Sequence, residues 1–217
     1  WITKRQRKYP IFNNAYLMTG THHLYNYLPT KHEKWLTMIK QEIIDSGLII
    51  DILNAKTMEA VFRLLQGCSF LGSFLAYQYT IDMNYSPYIN FSENDFVKAG
   101  IGAIRGIKKC FLCYGNKCED AIWYVKEHFN DLLKRYGYTS FHPLPGHEPT
   151  LIDLQNCFCE TDKYLRAKMP ELRIGNVRIK QKYMPHTDPI QFFFPPKWNI
   201  VEMYKYKPIV VPTLFDL

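Results

Sequence analysis

Leu65-Gln66-Gly67-Cys68-Ser69-Phe70-Leu71-Gly72-Ser73-Phe74-Leu75-Ala76 is the stretch whose reading decides the fold. Upstream, Met58, Val61, Phe62, Leu64 and Leu65 recur at helical spacing over about Thr57 to Gln66. Downstream, a second helix starts directly after Gly72 and runs to Met83, and Tyr85-Ser86-Pro87-Tyr88 breaks it. Two helices joined by a few small residues make a hairpin. Such a turn asks for glycine where φ is positive or where another backbone comes close. The first amides of the second helix have no partners within it, and the helix dipole suits that end to an anion. An ordinary αα-hairpin without a ligand has the same signature.

The pattern around the hairpin is helical on both sides. Ile11 to Tyr27 reads as a short helix. Lys31 to Ser46 carries Trp35, Met38, Ile39, Ile43 and Ile44 on one side, with Gly47 as its C-cap. Asp95-Phe96-Val97 opens a short helix that Gly100 and Gly102 interrupt. Glu119 to Tyr136 reads as one amphipathic helix ending at Gly137, and residues 139–150 as a loop. Leu151 to Lys168 is the last helix, ended by Pro170. The expected architecture is all-α. A basic arm covers residues 1–10, the helical domain 11–169, and an extended Pro- and aromatic-rich C-terminal extension 170–217. The extension holds Pro185, Pro189, Pro195, Pro196, Pro208 and Pro212 and is expected to wrap the domain or bind protein partners. No internal repeat is present.

Lys and Arg outnumber Asp and Glu by 27 to 20, a net charge of +7 that suits an acidic partner, nucleic acid first. With 47% hydrophobic residues, including 16 Tyr and 14 Phe, a sizeable core is within reach, and exposed rings would be platforms for bases. No run of 18 apolar residues suggests a membrane span, and no secretory signal pattern follows the basic start. Trp1 in place of Met is expected of a chain excerpted from a longer one, so a lost leader stays open. An intracellular setting, nuclear or viral and host cytoplasm, is the expectation. Cys110, Cys113 and Cys118, with Cys157 and Cys159, leave zinc or an iron–sulfur cluster open, but the spacing favours free thiols. No metal and no cofactor are expected.

About twenty residues after Gly72 comes Asn90-Phe91-Ser92-Glu93-Asn94-Asp95-Phe96-Val97. Helix, glycine turn, helix and a later aspartate resemble the helix-hairpin-helix DNA glycosylases. That resemblance places Asp95 at the mouth of a base pocket, as an acid–base or charge-stabilising group. As an alternative, Asn94 or Asp95 is a helix N-cap. Ala99-Gly100-Ile101-Gly102-Ala103-Ile104-Arg105-Gly106 is not a dinucleotide loop, because the spacing is wrong and no strand precedes it. A close approach to DNA or to another helix fits better.

Taken together, several segments resemble a narrower family: Phe12, Ala15-Tyr16, Gly72-Ser73-Phe74-Leu75-Ala76-Tyr77-Gln78, Asp82, Tyr85, Asp95-Phe96, Gly100-Ile101-Gly102-Ala103, Gly106 and Cys159-Glu160…Lys163-Tyr164. It is the alpha-glutamyl/putrescinyl-thymine pyrophosphorylase group and the related helical domain of 5-hydroxymethyluracil DNA kinases, over residues 10–168. Gly-Ile-Gly stands where Gly-Pro-Gly is expected, which loosens that turn without removing it. The resemblance implies binding to DNA that contains 5-hydroxymethyluracil, and transfer of an amine or amino acid onto the phosphorylated base. Asp95, Glu160 and Lys163 are the candidate catalytic residues. Gly72, Ser73, Gln78, Asp82, Tyr85, Gly100, Gly102 and Arg105 are candidates for DNA and base contact.

Gln78 and Asp82 share a helix face, where they either line a pocket with Tyr85 or brace neighbouring helices. Glu160 and Lys163 either bind phosphate and activate an amine, or form an exposed ion pair. No Gly-x4-Gly-Lys-Ser/Thr is present, so the chain is not by itself a kinase. The alternatives are a non-catalytic DNA-binding subunit, a DNA glycosylase, or a structural subunit joined through its extension.

Overall fold

A computed structural model describes residues 2, 11–12, 18–144, 146–173, 175 and 194–200. Among these residues the chain is helical, and its one β contact is an isolated bridge between Leu144 and His147. Eight α-helices follow in order: α1 Lys31–Met38, α2 Leu48–Asn54, α3 Met58–Gln66, α4 Ser73–Asn84, α5 Ile101–Cys110, α6 Glu119–Glu127, α7 Phe129–Arg135 and α8 Leu151–Lys168. The all-α expectation therefore holds.

Local chemistry sets several boundaries. Thr30 and Glu33 close a capping box on α1, and Thr57 accepts from the Ala60 amide to start α3. Thr150 and Asp153 form the box that starts α8. Gly47 takes φ 81 after the second helical stretch, the left-handed conformation foreseen for it.

Other expectations need correcting. In the described part of the 11–27 segment the only helix is the 3-10 turn His23–Tyr25. The 31–46 helix turns π-helical over Ile39–Asp45. No helix begins at Asp95, whose amide closes a turn on the Ser92 carbonyl. Gly100 does not interrupt a helix but starts α5 as its extended N-cap, with Gly102 inside it. The 119–136 helix divides at His128, whose φ and ψ of −105° and 17° step out of helical geometry. The basic arm, Ile2 apart, lies outside the described residues. So does most of the extension, and its described pieces include 3-10 turns at Pro170–Leu172 and Pro196–Trp198.

The hairpin helices α3 and α4 bury Met58, Val61, Phe62, Tyr77 and Ile81 against Met38 and Ile52. Each such side chain stabilises the fold by about 1.5–3 kcal/mol relative to exposure. The second packing unit is α5 against α8. Its closeness comes from glycine: a Cβ on Gly106 would lie 2.0 Å from the Phe158 carbonyl oxygen, and one on Gly102 would collide with the Cys159 sulfur. The approach read from the glycine spacing is thus made to another helix. Contacts rise together along both helices, Gly100 to Gln155 and Lys109 to Asp162, so the two run in the same direction. Lys109 and Asp162 pair at 2.7 Å with both side chains buried, and Arg166 flanks the same carboxylate. A buried pair of this kind fixes register more surely than it adds stability.

Candidate functional site

The hairpin turn is built differently from the sequence expectation. The left-handed residue is Phe70, at φ 68, while Gly67 and Gly72 have negative φ. Phe70 is held there because its ring stacks on Trp35, 5.3 Å between centroids, and packs on Tyr25 and His22. Glu42 fastens the turn from below: its carboxylate accepts the Ser69 amide at 2.7 Å and the Tyr25 hydroxyl at 2.6 Å. Burial pulls the Glu42 pKa upward, but the bonds from Ser69 and Tyr25 outweigh it and leave the group below the usual carboxylate value.

Gly72, Ser73 and Phe74 are exposed at the start of α4, where no side chain caps the helix. The Ser73 hydroxyl accepts from Gln66 at 2.7 Å. The Phe74 ring lies against Gly100, where a Cβ would be 3.1 Å from it, so the N-terminus of α5 stands beside that of α4. α5 also lacks a side-chain cap. The Gly100 amide donates to the buried Gln155 of α8 at 3.1 Å, and Glu119 of α6 holds the preceding segment through Lys98 and the Ala99 amide. Two helix N-termini therefore lie together, both started by glycine, with Ile101 exposed and Arg105 half-buried on α5. Gly102 faces Cys159 in the α5–α8 interface and not the open side.

Gln78 is half-buried in the middle of α4, and Asp82 is exposed near its C-terminal end. Protein bulk around the Asp82 carboxyl raises its pKa, and burial followed by the charges of Glu93, Asp153 and Asp82 raises that of the Tyr85 phenol. The loop that follows is stitched down on several sides. Asn84 donates to the Phe91 carbonyl and accepts its amide. Asn94 accepts the Leu151 amide at 3.2 Å, so it serves the start of α8 instead of a helix of its own. Glu93 is buried and accepts the Trp198 indole N–H at 2.8 Å. Asp95, two residues on, is exposed, and its carboxylate has no hydrogen-bond partner among the described residues.

Tyr85 lies within reach of the charges of Glu93, Asp153 and Asp82 in one corner beside the 85–95 loop, with the Gly72 and Gly100 helix starts at the other end of α4. Glu160 and Lys163 are elsewhere. They form an exposed i,i+3 pair on α8, 65% and 56% accessible. Nine residues separate Glu160 from the α8 start, about 13 Å along the axis. The hydrogen bond that Lys163 donates to Glu160 raises the Lys163 pKa, so the amine keeps its proton and is not a nucleophile. Sequence reasoning passed over Glu93, His147 and Trp198. Glu93 stood inside the quoted Asp95 segment, and its position three residues before Phe96 carried no pattern to mark it as buried.

Among the described residues no group of three or more His, Cys, Asp or Glu is arranged to hold a metal, and no helix is long and apolar enough to cross a membrane. Burial pushes the thiols of Cys110, Cys118, Cys157 and Cys159 upward, so they stay protonated.

Fold and corner together define a helical domain that presents a glycine-edged face and a loop rich in aromatic and carboxylate groups. The chain belongs to the family described as 5-hmdU DNA kinase, helical domain, which matches residues 2–174. No curated protein and no solved structure matches it. Membership ties the chain to hydroxymethyluracil-related DNA modification.

Proposed function

We propose that this chain holds DNA and presents a hydroxymethyluracil-type base for modification, the reaction being transfer of an amine or amino acid onto the phosphorylated base, in which a C–N bond forms as the C–O bond to pyrophosphate, the leaving group, breaks. Family membership across residues 2–174 is the observation that carries this reading. The neighbouring N-termini of α4 and α5 support it, since neither helix start carries a side-chain cap and such ends suit a phosphodiester backbone. A helix-hairpin-helix mode of binding fits these elements. The corner around Tyr85, with Asp82 beside it, would receive the base once it leaves the stack. Asp95 would act there as the acid–base group, with Glu160 and Lys163 placed to meet the strand further along α8.

The test is a binding and turnover assay on DNA carrying 5-hydroxymethyluracil or its phosphorylated form, with amines supplied. Affinity should fall steeply with salt, and product should contain the amine joined to the base. A salt-independent affinity, or no affinity for any strand, refutes DNA holding. Release of free base identifies a glycosylase instead. One observation favours a second reading, a non-catalytic DNA-binding subunit: nothing among the described residues orients the Asp95 carboxylate. Binding without turnover on every phosphorylated substrate decides for it.

A further inference from the structure

Only half of the buried Glu93 carboxylate is used. Oε2 accepts the Trp198 indole N–H, while Oε1 is sealed from solvent and has no hydrogen-bond partner among the described residues. Buried acceptors are normally satisfied, so an orphan at this position marks a site built for something other than its present occupant. Trp198 is that occupant. Its indole lies flat on His147, centroids 3.7 Å apart and planes 22° from parallel, and meets Tyr85 edge-on at 5.7 Å. His147 is held in place by Asp153 at 3.2 Å, the residue that also closes the α8 capping box. Beside the indole, Lys197 donates to the carbonyls of Asn84 and Phe91. Both residues lie beyond the 2–174 family match, so the receiving corner belongs to the family domain and the plug does not.

We propose that Tyr85, Glu93 and His147 form a binding site for an extruded pyrimidine base, which Trp198 occupies in cis as a mimic of that base. The inference rests on the DNA-modifying reading above and locates its base site. An indole and a uracil-type ring share what the corner selects: a flat π face for His147 and one ring N–H for a carboxylate. The pyrimidine is the smaller ring, which leaves room for a water to reach Oε1 and supply the missing donor. Because the extension and the base compete for one place, the apparent affinity for the base falls by the fraction of molecules whose corner is open.

Equilibrium binding to a short single strand carrying one 5-hydroxymethyluracil tests this, with the full chain, Trp198→Ala, Trp198→Phe and the double variant Trp198→Ala/Glu93→Gln. Removing the plug should tighten binding by about tenfold, and Trp198→Phe, which keeps the ring but loses the donor, by less. The gain should vanish when the base is methylated at N3, and in the double variant. Unchanged or weaker binding by both single variants, or an equal gain with the N3-methylated base, overturns the proposal while leaving DNA binding intact. If Trp198→Ala does not fold, Trp198→Phe decides alone: tighter binding supports the site and unchanged binding refutes it. Absence of binding by every form, the native chain included, refutes the DNA reading and the site with it.

Discussion

Gly106→Ala tests the packing on which the second half of the domain depends. The added Cβ would sit 2.0 Å from the Phe158 carbonyl oxygen and 2.8 Å from its carbon. Both are backbone atoms, so no rotamer change relieves the clash. Restoring ordinary contact requires α5 and α8 to part by about 1.4 Å. Helix propensity favours alanine by about 1 kcal/mol, whereas overpacking of this kind costs about 1–3 kcal/mol and sometimes more. Parting the helices also loosens the Lys109–Asp162 pair, whose side chains are 2% and 1% exposed, and an uncompensated buried charge is expensive. The expected net loss is about 2–4 kcal/mol, or about 5–15 °C in Tm for a chain of this size. Thermal and urea unfolding by circular dichroism measure it, with Gly72→Ala as the control. At Gly72 a Cβ meets nothing within 4 Å and φ is −69°, so that variant should melt close to the native protein. A Gly106→Ala protein that melts within about 2 °C of the native one refutes the reasoning, because the helices would then have room that the structure denies them.

Asp95→Asn should leave Tm unchanged, since the carboxylate is exposed, while turnover on a hydroxymethyluracil-derived substrate falls by about 10²-fold and DNA affinity holds or rises slightly; an unfolded or fully active variant removes Asp95 from the mechanism. Stability should fall as pH drops below about 4.5. Glu42 and Glu119 titrate below their ordinary value in the folded state, so their contribution is complete above the unfolded pKa and is lost as pH passes down through the folded one. For Glu119, burial raises the pKa and the Lys98 and Ala99 bonds more than reverse it. Glu119→Gln should therefore flatten the acid limb of the stability curve, and an unaltered limb contradicts the assignment. Thr57→Ala should cost about 1 kcal/mol through the lost bond to the Ala60 amide, read as a lowered urea midpoint at constant slope.

A helix whose apolar face repeats at 3.6 residues was legible in the sequence, as α3 shows, because the same side chains that set the period fill the core, whereas α4 and α8 were legible from the breakers that end them. Gly47 and Pro170 were legible because their backbone demands are local. What escaped depends on partners remote in sequence. Phe70 takes a left-handed conformation that its own side chain disfavours, and only Trp35, Tyr25 and Glu42 make that conformation worth adopting. The start of α5 moved to Ile101 because Glu119 and Gln155 hold the preceding segment extended, a cause some 20 and 55 residues away. For the candidate site, Asp95 and Tyr85 were named as candidates from the resemblance. Glu93 and His147 were not, since what distinguishes them is burial and stacking against Trp198, which no local pattern encodes.

The 85–95 loop has a consequence for how the molecule assembles. Its fastenings reach 57 residues forward to Leu151, 105 to Trp198, and 106 from Phe91 to Lys197. The α3–α4 hairpin draws on nearer partners, such as Glu42, 27 residues from Ser69, and belongs to the earlier part of folding, whereas the longer loop closures come late. During synthesis the helix starts proposed to face a strand are complete before the corner proposed to receive a base. Cooperative opening should run in the reverse order, with amides of the corner exchanging with solvent before those of the hairpin. The part of the chain assigned to grip a strand is thus the more durable, and the part assigned to admit a base sits at the low end of local stability, where a change of occupant costs least.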